Sequence, residues 1–288
     1  MSNGNSLINL GELSKPATVL IEKISDAIGG IFRPHQIKRI AKAEAEAEKI
    51  KALAQIDISD IQQRALVRLI QEEGKKQENI ESITAQSIQE LRSEAKPEAV
   101  DNDWIANFFD KCKLVSDKEM QSLWARLLAG EANVPGTISK RTIELVSSLD
   151  KSDAHLFTSL CGFGWAVGDV IPLIYDAQNE IYTKRGINFS SLTHLDDIGL
   201  LTFDNIAGFI RQKVPKHITV FYYGTPVTVE LQNDQDNELD IGHVLLSKTG
   251  RELAPICGSR PIPEFIDYVL GIWKGQGYKI IGASSLKT

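Results

Sequence analysis

Cysteine is scarce in this chain. Cys112, Cys161 and Cys257 are the three thiols among 288 residues, widely spaced and odd in number, which speaks against a disulfide framework and for the reduced thiols of a cytoplasmic protein. Long apolar runs are missing too, and no stretch reaches the roughly 20 residues of a bilayer span. The opening MSNGNSLINLGELSKP lacks the basic start, apolar core and small-residue cleavage site of a signal peptide, so neither export nor insertion is expected. Positive charge is not in excess. A formal net charge of -6 opposes whole-molecule attraction to nucleic acid or anionic lipid and leaves only a local patch open.

Catalytic patterns are equally thin. Gly162-Phe163-Gly164-Trp165-Ala166-Val167-Gly168 has the glycines of a phosphate loop, but a helix precedes it where a dinucleotide fingerprint needs a strand, so it reads as a helix terminus with a tight turn. Lys248-Thr249-Gly250 and the spacing of Ser148 with Lys151 match two motifs of penicillin-recognising serine enzymes. The Ser-Asp-Asn element is lacking, and Thr249 reads better as a helix cap. His35, His155, His194, His217 and His243 are scattered, outside any zinc-ligand spacing. The acidic run 234–240, DQDNELD, lacks the glycine and terminal glutamate of a calcium loop and reads as a solvated loop. No catalytic residue, cofactor or metal site is assigned, and the expectation is a protein that is not an enzyme.

Helix-forming sequence is what the chain has in quantity. Leu10, Leu13, Ala17, Leu20, Ile24, Ala27 and Ile31 alternate in steps of three and four, the heptad stripe of a helix entered near Leu7 and stopped by Gly29, Gly30 and Pro34. Such a stripe needs cover, from its own domain, from a second copy, or from a membrane surface. Leu10, Leu13, Ala17, Leu20, Ile24 and Ile31 are therefore the candidate self-association residues. Arg33, Lys38, Arg39 and Lys42, beside His35, form a basic cluster suited to an anionic surface, although Glu44, Glu46 and Glu48 offer pairing along the same helix.

Residues 34–95 contain no proline after Pro34 and a single glycine, Gly74, and read as one or two long helices, with Gly74 as the break and Pro97 as the stop. Residues 40–55 are rich in alanine and charge and can bury little, so they are expected to project or pack thinly. Ile58, Ile61, Ala65 and Leu69, then Ile80, Ile83, Ser87 and Leu91, restore an apolar face that must dock.

Trp104, Ile105, Phe108 and Phe109, with Leu123, Trp124, Leu127 and Leu128, mark the start of a core. Ser116 and Glu119 fit a capping box for DKEMQSLWARLLAGE, with Gly130 as its end, and helices follow over 140–149 and 152–163. Beyond Val167, DVIPLIYDAQ and NEIYTKRGIN read as strands or a hairpin, and 190–198 as a short helix closed by Gly199. ITVFYYGTPVTVEL reads as a hairpin with Gly224, Thr225 and Pro226 between its strands, HVLLS as a strand, and 249–256 and 262–273 as helices. That order resembles a winged helix. The expected fold is mainly α with a small α+β part. Long N-terminal helices occupy 1–99, and a compact C-terminal domain occupies 100–288, helical over 100–165 and winged-helix-like with a β-hairpin over 166–288.

The segments GELSKPATVLIEKISDAIGGIFRPHQIKRIAKAEAEAEKI, LWARLLAGE and LLSKTGREL resemble an uncharacterised bacterial family related to the abortive-infection alpha proteins of phage defence. The resemblance implies a context and carries no catalytic motif onto this chain. The expected function is a non-enzymatic, self-associating interaction protein of phage defence or stress response, homo-oligomeric and with an unidentified protein partner. Two alternatives stand beside it. One is a membrane-surface effector at the inner leaflet. The other is a winged-helix DNA-binding regulator, which Asp196 and Asp197 on the would-be reading helix oppose.

Overall fold

The computed structural model describes residues 13–29 and 60–283. Within that span the fold is mixed and rich in helix, and it divides into two units, Met1–Ser147 and Ser148–Thr288. The boundary therefore lies near 147 and not at the expected 99, because helices on both sides of residue 99 pack into one body.

In the first unit, α1 spans Lys15–Ile28. Ser14 caps it by accepting from the Ala17 amide at 3.4 Å, and Pro16 sits where a missing N–H costs nothing. The helix does not extend back to Leu7; Leu13 lies outside it and is half-buried. Gly29 ends it with φ 69, as expected. Ala17, Leu20 and Ile24 are 0% exposed, because α1 lies on α3, Asn102–Cys112, and on the turn Pro97–Ala99. Trp104, Ile105, Phe108 and Phe109 of α3 are buried, and Phe108 meets Trp124 edge-on at 5.2 Å.

Helix α2 runs unbroken over Asp60–Gln89. Gly74 does not interrupt it, since a helical glycine costs only about 1 kcal/mol. The C-terminal part of α2 packs on α4, Lys118–Asn133. There, buried Gln121 donates to the Asn79 side chain at 3.0 Å and to the Val115 carbonyl at 2.8 Å, and accepts from Ser82 at 2.8 Å. A buried polar network satisfied in this way fixes the register of the two helices. Asp117, and not Ser116, caps α4, accepting from the Glu119 and Met120 amides; Ser116 instead accepts from Asn79. At the far end of α4, the buried Glu131 carboxylate takes the Gly136 and Ile138 amides at 2.6 and 2.8 Å, holding the loop that leads to α5, Lys140–Ser148.

The second unit opens with α6, Lys151–Cys161. Its main sheet has the order β2-β1-β5-β6-β9, built from β1 Gly164–Val167, β2 Asp169–Pro172, β5 His217–Tyr222, β6 Thr225–Glu230 and β9 Lys279–Ala283. Two small pairs flank it in the chain: β3 Leu201–Phe203 with β8 Val244–Leu246, and β4 Ile210–Val214 with β7 Asn237–Asp240. The glycine-rich segment holds the expected helix terminus, with Gly162 capping α6, and a tight turn at Gly168, φ 83; between them runs β1, which the sequence did not suggest, with Trp165 fully buried. Likewise the NELD of the acidic run is β7, and buried Asn237 donates to the Val214 and Asn233 carbonyls.

Three helices deviate in detail. Glu180–Thr183 forms α7 and not a strand, because the Asn179 side chain caps it by accepting from Ile181. Phe189–Asp197 is α8, capped by Asn188. Lys248–Leu253 is α9, and its cap is Ser247, not Thr249. The unit closes with α10, Phe265–Gly275.

The β5–β6 hairpin turns at Tyr223 and Gly224, with φ 46 and 81, the two positive values a two-residue primed turn requires. Thr225 and Pro226 belong to β6. A tyrosine in the left-handed region is unusual, and here its hydroxyl is tethered, donating to the Cys161 carbonyl at 3.0 Å and lying 2.6 Å from the Ser259 hydroxyl.

Candidate functional site

The stripe expected to mediate self-association finds its cover at home. Ala17, Leu20 and Ile24 face α3 of the same unit, Leu13 sits beside the helix start, and Leu10 and Ile31 lie outside the described residues. The basic cluster of Arg33, Lys38, Arg39 and Lys42 also lies outside the described residues. Among the described residues, no helix is long and apolar enough to cross a membrane.

The exposed apolar surface is found instead on the first half of α2. None of residues 60–75 is buried, and Leu66 alone among them is half-buried. Ile61, Val67, Leu69 and Ile70 are 68%, 51%, 53% and 54% exposed. Most helical stability in proteins comes from packing an apolar face. The flanks carry charge of both signs, with Arg68 pairing with Glu72 of the same helix at 3.5 Å, a contact worth little in water. A Cβ placed at Gly74 would meet nothing within 4 Å. This segment is the candidate interaction surface.

Two concavities lie among the described residues of the second unit, beside any others it has. One, of about 270 Å³, is a shallow groove over β1 and the hairpin turn, lined by Cys161, Ala166, Phe221, Tyr223, Pro255 and Ser259 among others. Burial pushes the Tyr223 phenol up to about 12, with the Ser259 hydrogen bond opposing. The other, of about 290 Å³, is lined by Tyr175, Asp176, Phe189, Phe203, Asn205 and His243 with two neighbours. These residues come from the loop after β2, the start of α8, the end of β3 with its loop, and the residue before β8. The His243 Nδ1 lies 2.6 Å from the Asp204 carbonyl oxygen, which can only accept, so Nδ1 carries a proton and the ring is held in one orientation. The Ala207 and Ile206 amides hold the Asp204 carboxyl below the usual range and shape that loop. Sequence reading missed this pocket, since its lining is spread over four separate stretches of chain and no spacing links Tyr175 to His243.

The remaining motifs have structural placements. Gly250 is a contact glycine: a Cβ there would collide with the Leu200 carbonyl oxygen. Ser247 donates to the Gly199 carbonyl at 2.8 Å, so the Ser-Lys-Thr-Gly run seats α9 on the end of α8. His194 lies 2.8 Å from Asp153, a local link between α8 and α6. Asp196, placed by sequence on a would-be reading helix, accepts from the Phe203 amide at 2.9 Å and thereby ties the end of β3 to α8. Among the described residues, no three His, Cys, Asp or Glu side chains are gathered as metal ligands.

No curated protein and no solved structure matches the chain. A family model does, over residues 63–270, which takes in most of α2, all of α3 to α9 and the first half of α10, and leaves α1 outside. The chain accordingly belongs to the family described as protein of unknown function (DUF2806).

Proposed function

We propose that the chain is a non-enzymatic interaction protein that self-associates through the exposed half of α2, and that it acts in bacterial phage defence of the abortive-infection kind. The observation that carries the first part is the run of four large apolar side chains standing in water on a helix whose other half is well packed. The occupant is a second copy, argued from self-complementarity. Two α2 segments laid antiparallel with Ile70 on the dyad bring Arg68 of one copy opposite Glu72 of the other, and Leu66 opposite the open space at Gly74. Around Ile70 the seam takes in Leu66 and Val67, whereas Ile61, nine residues before Ile70, lies on the opposite side of the helix. Val67 and Ile70 are each about half in water and bring roughly 1 kcal/mol each on burial, so the pair of arms gains roughly 4 kcal/mol from them against an association cost of about 4–15 kcal/mol, which makes the contact weak and concentration-dependent.

The phage-defence context rests on the resemblance of the RPHQIKRIAKAEAEAE and LWARLLAGE segments alone, and the non-enzymatic reading on the lack of a catalytic motif in the sequence. A winged-helix use of the second unit finds support in the order of α8, the β5–β6 hairpin and α9, although β3 pairs with β8 and not with the hairpin. With Asp196 and Asp197 on α8 that use is for protein contact rather than for duplex DNA. Sedimentation velocity over a rising concentration series tests the assembly. The wild type is expected to shift towards a dimer while Ile70→Asp stays monomeric; a wild type that stays monomeric up to about 1 mM refutes it. Liposome flotation that depends on residues 1–42 would favour the membrane-surface alternative.

A further inference from the structure

The pocket around Tyr175 and His243 has a chemistry of its own, independent of self-association. Its walls include two aromatic rings set as a corner: Phe189 and Phe203 have centroids 5.6 Å apart and planes at 70°. Tyr175 adds a third ring. Aromatic faces carry negative potential and attract cations, and cages of such rings are how proteins recognise quaternary ammonium groups.

The polar groups point the same way. Neither lysine nor arginine lines the pocket, and the carboxylate among its walls is Asp176. Asp176 is exposed and spends one oxygen on the Gln178 amide at 2.9 Å, leaving the other for a ligand. The Tyr175 hydroxyl has no donor to spare, since it accepts from the Trp273 indole at 2.9 Å and donates to the Asp240 carbonyl at 3.3 Å. His243 turns its Nδ1–H to the Asp204 carbonyl, so Nε2 is the ring nitrogen left for another partner. The charged and fixed groups thus suit a donor or a cation and offer an anion little. The volume, about 290 Å³, sits at the lower end of the roughly 300–1,000 Å³ of small-molecule sites. It matches a head group or a single long side chain rather than a dinucleotide.

We infer that this pocket binds an organic cation, an alkylammonium or guanidinium group of the kind carried by choline, trimethyllysine or arginine. The same chemistry comes free in solution or on a partner protein's side chain, and the probes separate the two. NMR titrations of the full chain use choline, the amides of N-acetyl-trimethyllysine and N-acetylarginine, and the alcohol in which tert-butyl replaces choline's trimethylammonium. Saturable shifts with at least one cation, and none with the neutral alcohol, are expected. Tighter binding of choline identifies a small molecule as the source, and tighter binding of an amide identifies a protein side chain. Phe189→Ala and Asp176→Asn should each weaken binding about fivefold to tenfold. Both variants keep the fold, because Phe189 is 55% exposed and an asparagine still accepts from the Gln178 amide. Equal binding of the alcohol, no shift with any cation, or wild-type affinity in both variants overturns the assignment.

Discussion

Replacing Leu20 by alanine separates two roles for the N-terminal stripe, core of the first unit or seam between copies. Leu20 is 0% exposed, as are Ala17 and Ile24 beside it, and the surface that covers them is α3 of the same unit. Removing a fully buried leucine costs about 2–5 kcal/mol, the higher figure where the cavity cannot collapse. Flanked by buried aromatic side chains on α3 that are stacked on one another, with Trp104 and Phe108 rings 5.2 Å apart, this site has little room to relax. Against a total stability of about 5–15 kcal/mol, that loss lowers the melting temperature by about 5–15 °C in a unit of this size. Thermal melts followed by far-UV circular dichroism at several protein concentrations give the result. The drop should be the same at every concentration, because the lost contact is within one chain. A melt unchanged by Leu20→Ala, or a drop that disappears on concentrating the protein, would refute the reasoning and return the stripe to an intermolecular seam.

Two further outcomes follow from the second unit. Gly250→Ala should destabilise it by about 3 kcal/mol or more, since the new methyl meets the Leu200 backbone oxygen and not a movable side chain; urea unfolding of the variant reads this, and a wild-type midpoint argues against the close seat of α9. Burial raises the phenols of Tyr175, Tyr182, Tyr222 and Tyr223, so the folded state holds these protons more tightly than the unfolded chain. Their contribution to stability is complete below the ordinary tyrosine value of about 10 and is lost as pH rises through the folded values. Tyrosinate absorbance should therefore appear together with loss of structure in alkali, and early, non-cooperative ionisation of these four would contradict it.

Helices with strong caps or periodic apolar faces were legible in the sequence: the C-terminal stop of α1 at Gly29, α3 through its Trp-Ile and Phe-Phe pairs, and the β-branched hairpin β5–β6. What escaped had a physical reason. The β4 strand, IRQKV, is exposed at four of its five residues, and its partner β7, NELD, turns Asn237 and Leu239 inward, so one of the two inward positions of β7 is polar and neither strand shows an apolar alternation in sequence. Asn179 outweighed the alternating pattern of NEIYT by capping a helix, and Pro16 marked a later start for α1 than its stripe implied. The stripe itself was read correctly as apolar; periodicity states that a face needs cover and is silent on which surface provides it. The pocket was illegible for another reason, because its residues meet through long-range contacts, the pairing of β3 with β8 and the bridge of Ile174 to Gly242.

The assembly model puts Ile70 of one copy against Ile70 of another, and a single cysteine there tests it directly. The chain's own thiols, Cys112, Cys161 and Cys257, are all buried, so a cysteine in place of Ile70, itself 54% exposed, is the reactive one under mild oxidation. Rapid formation of a disulfide-linked dimer by Ile70→Cys, with little or none from Gln63→Cys on the same helix, is the expected result. No dimer from Ile70→Cys, or equal crosslinking at both positions, contradicts antiparallel pairing through α2.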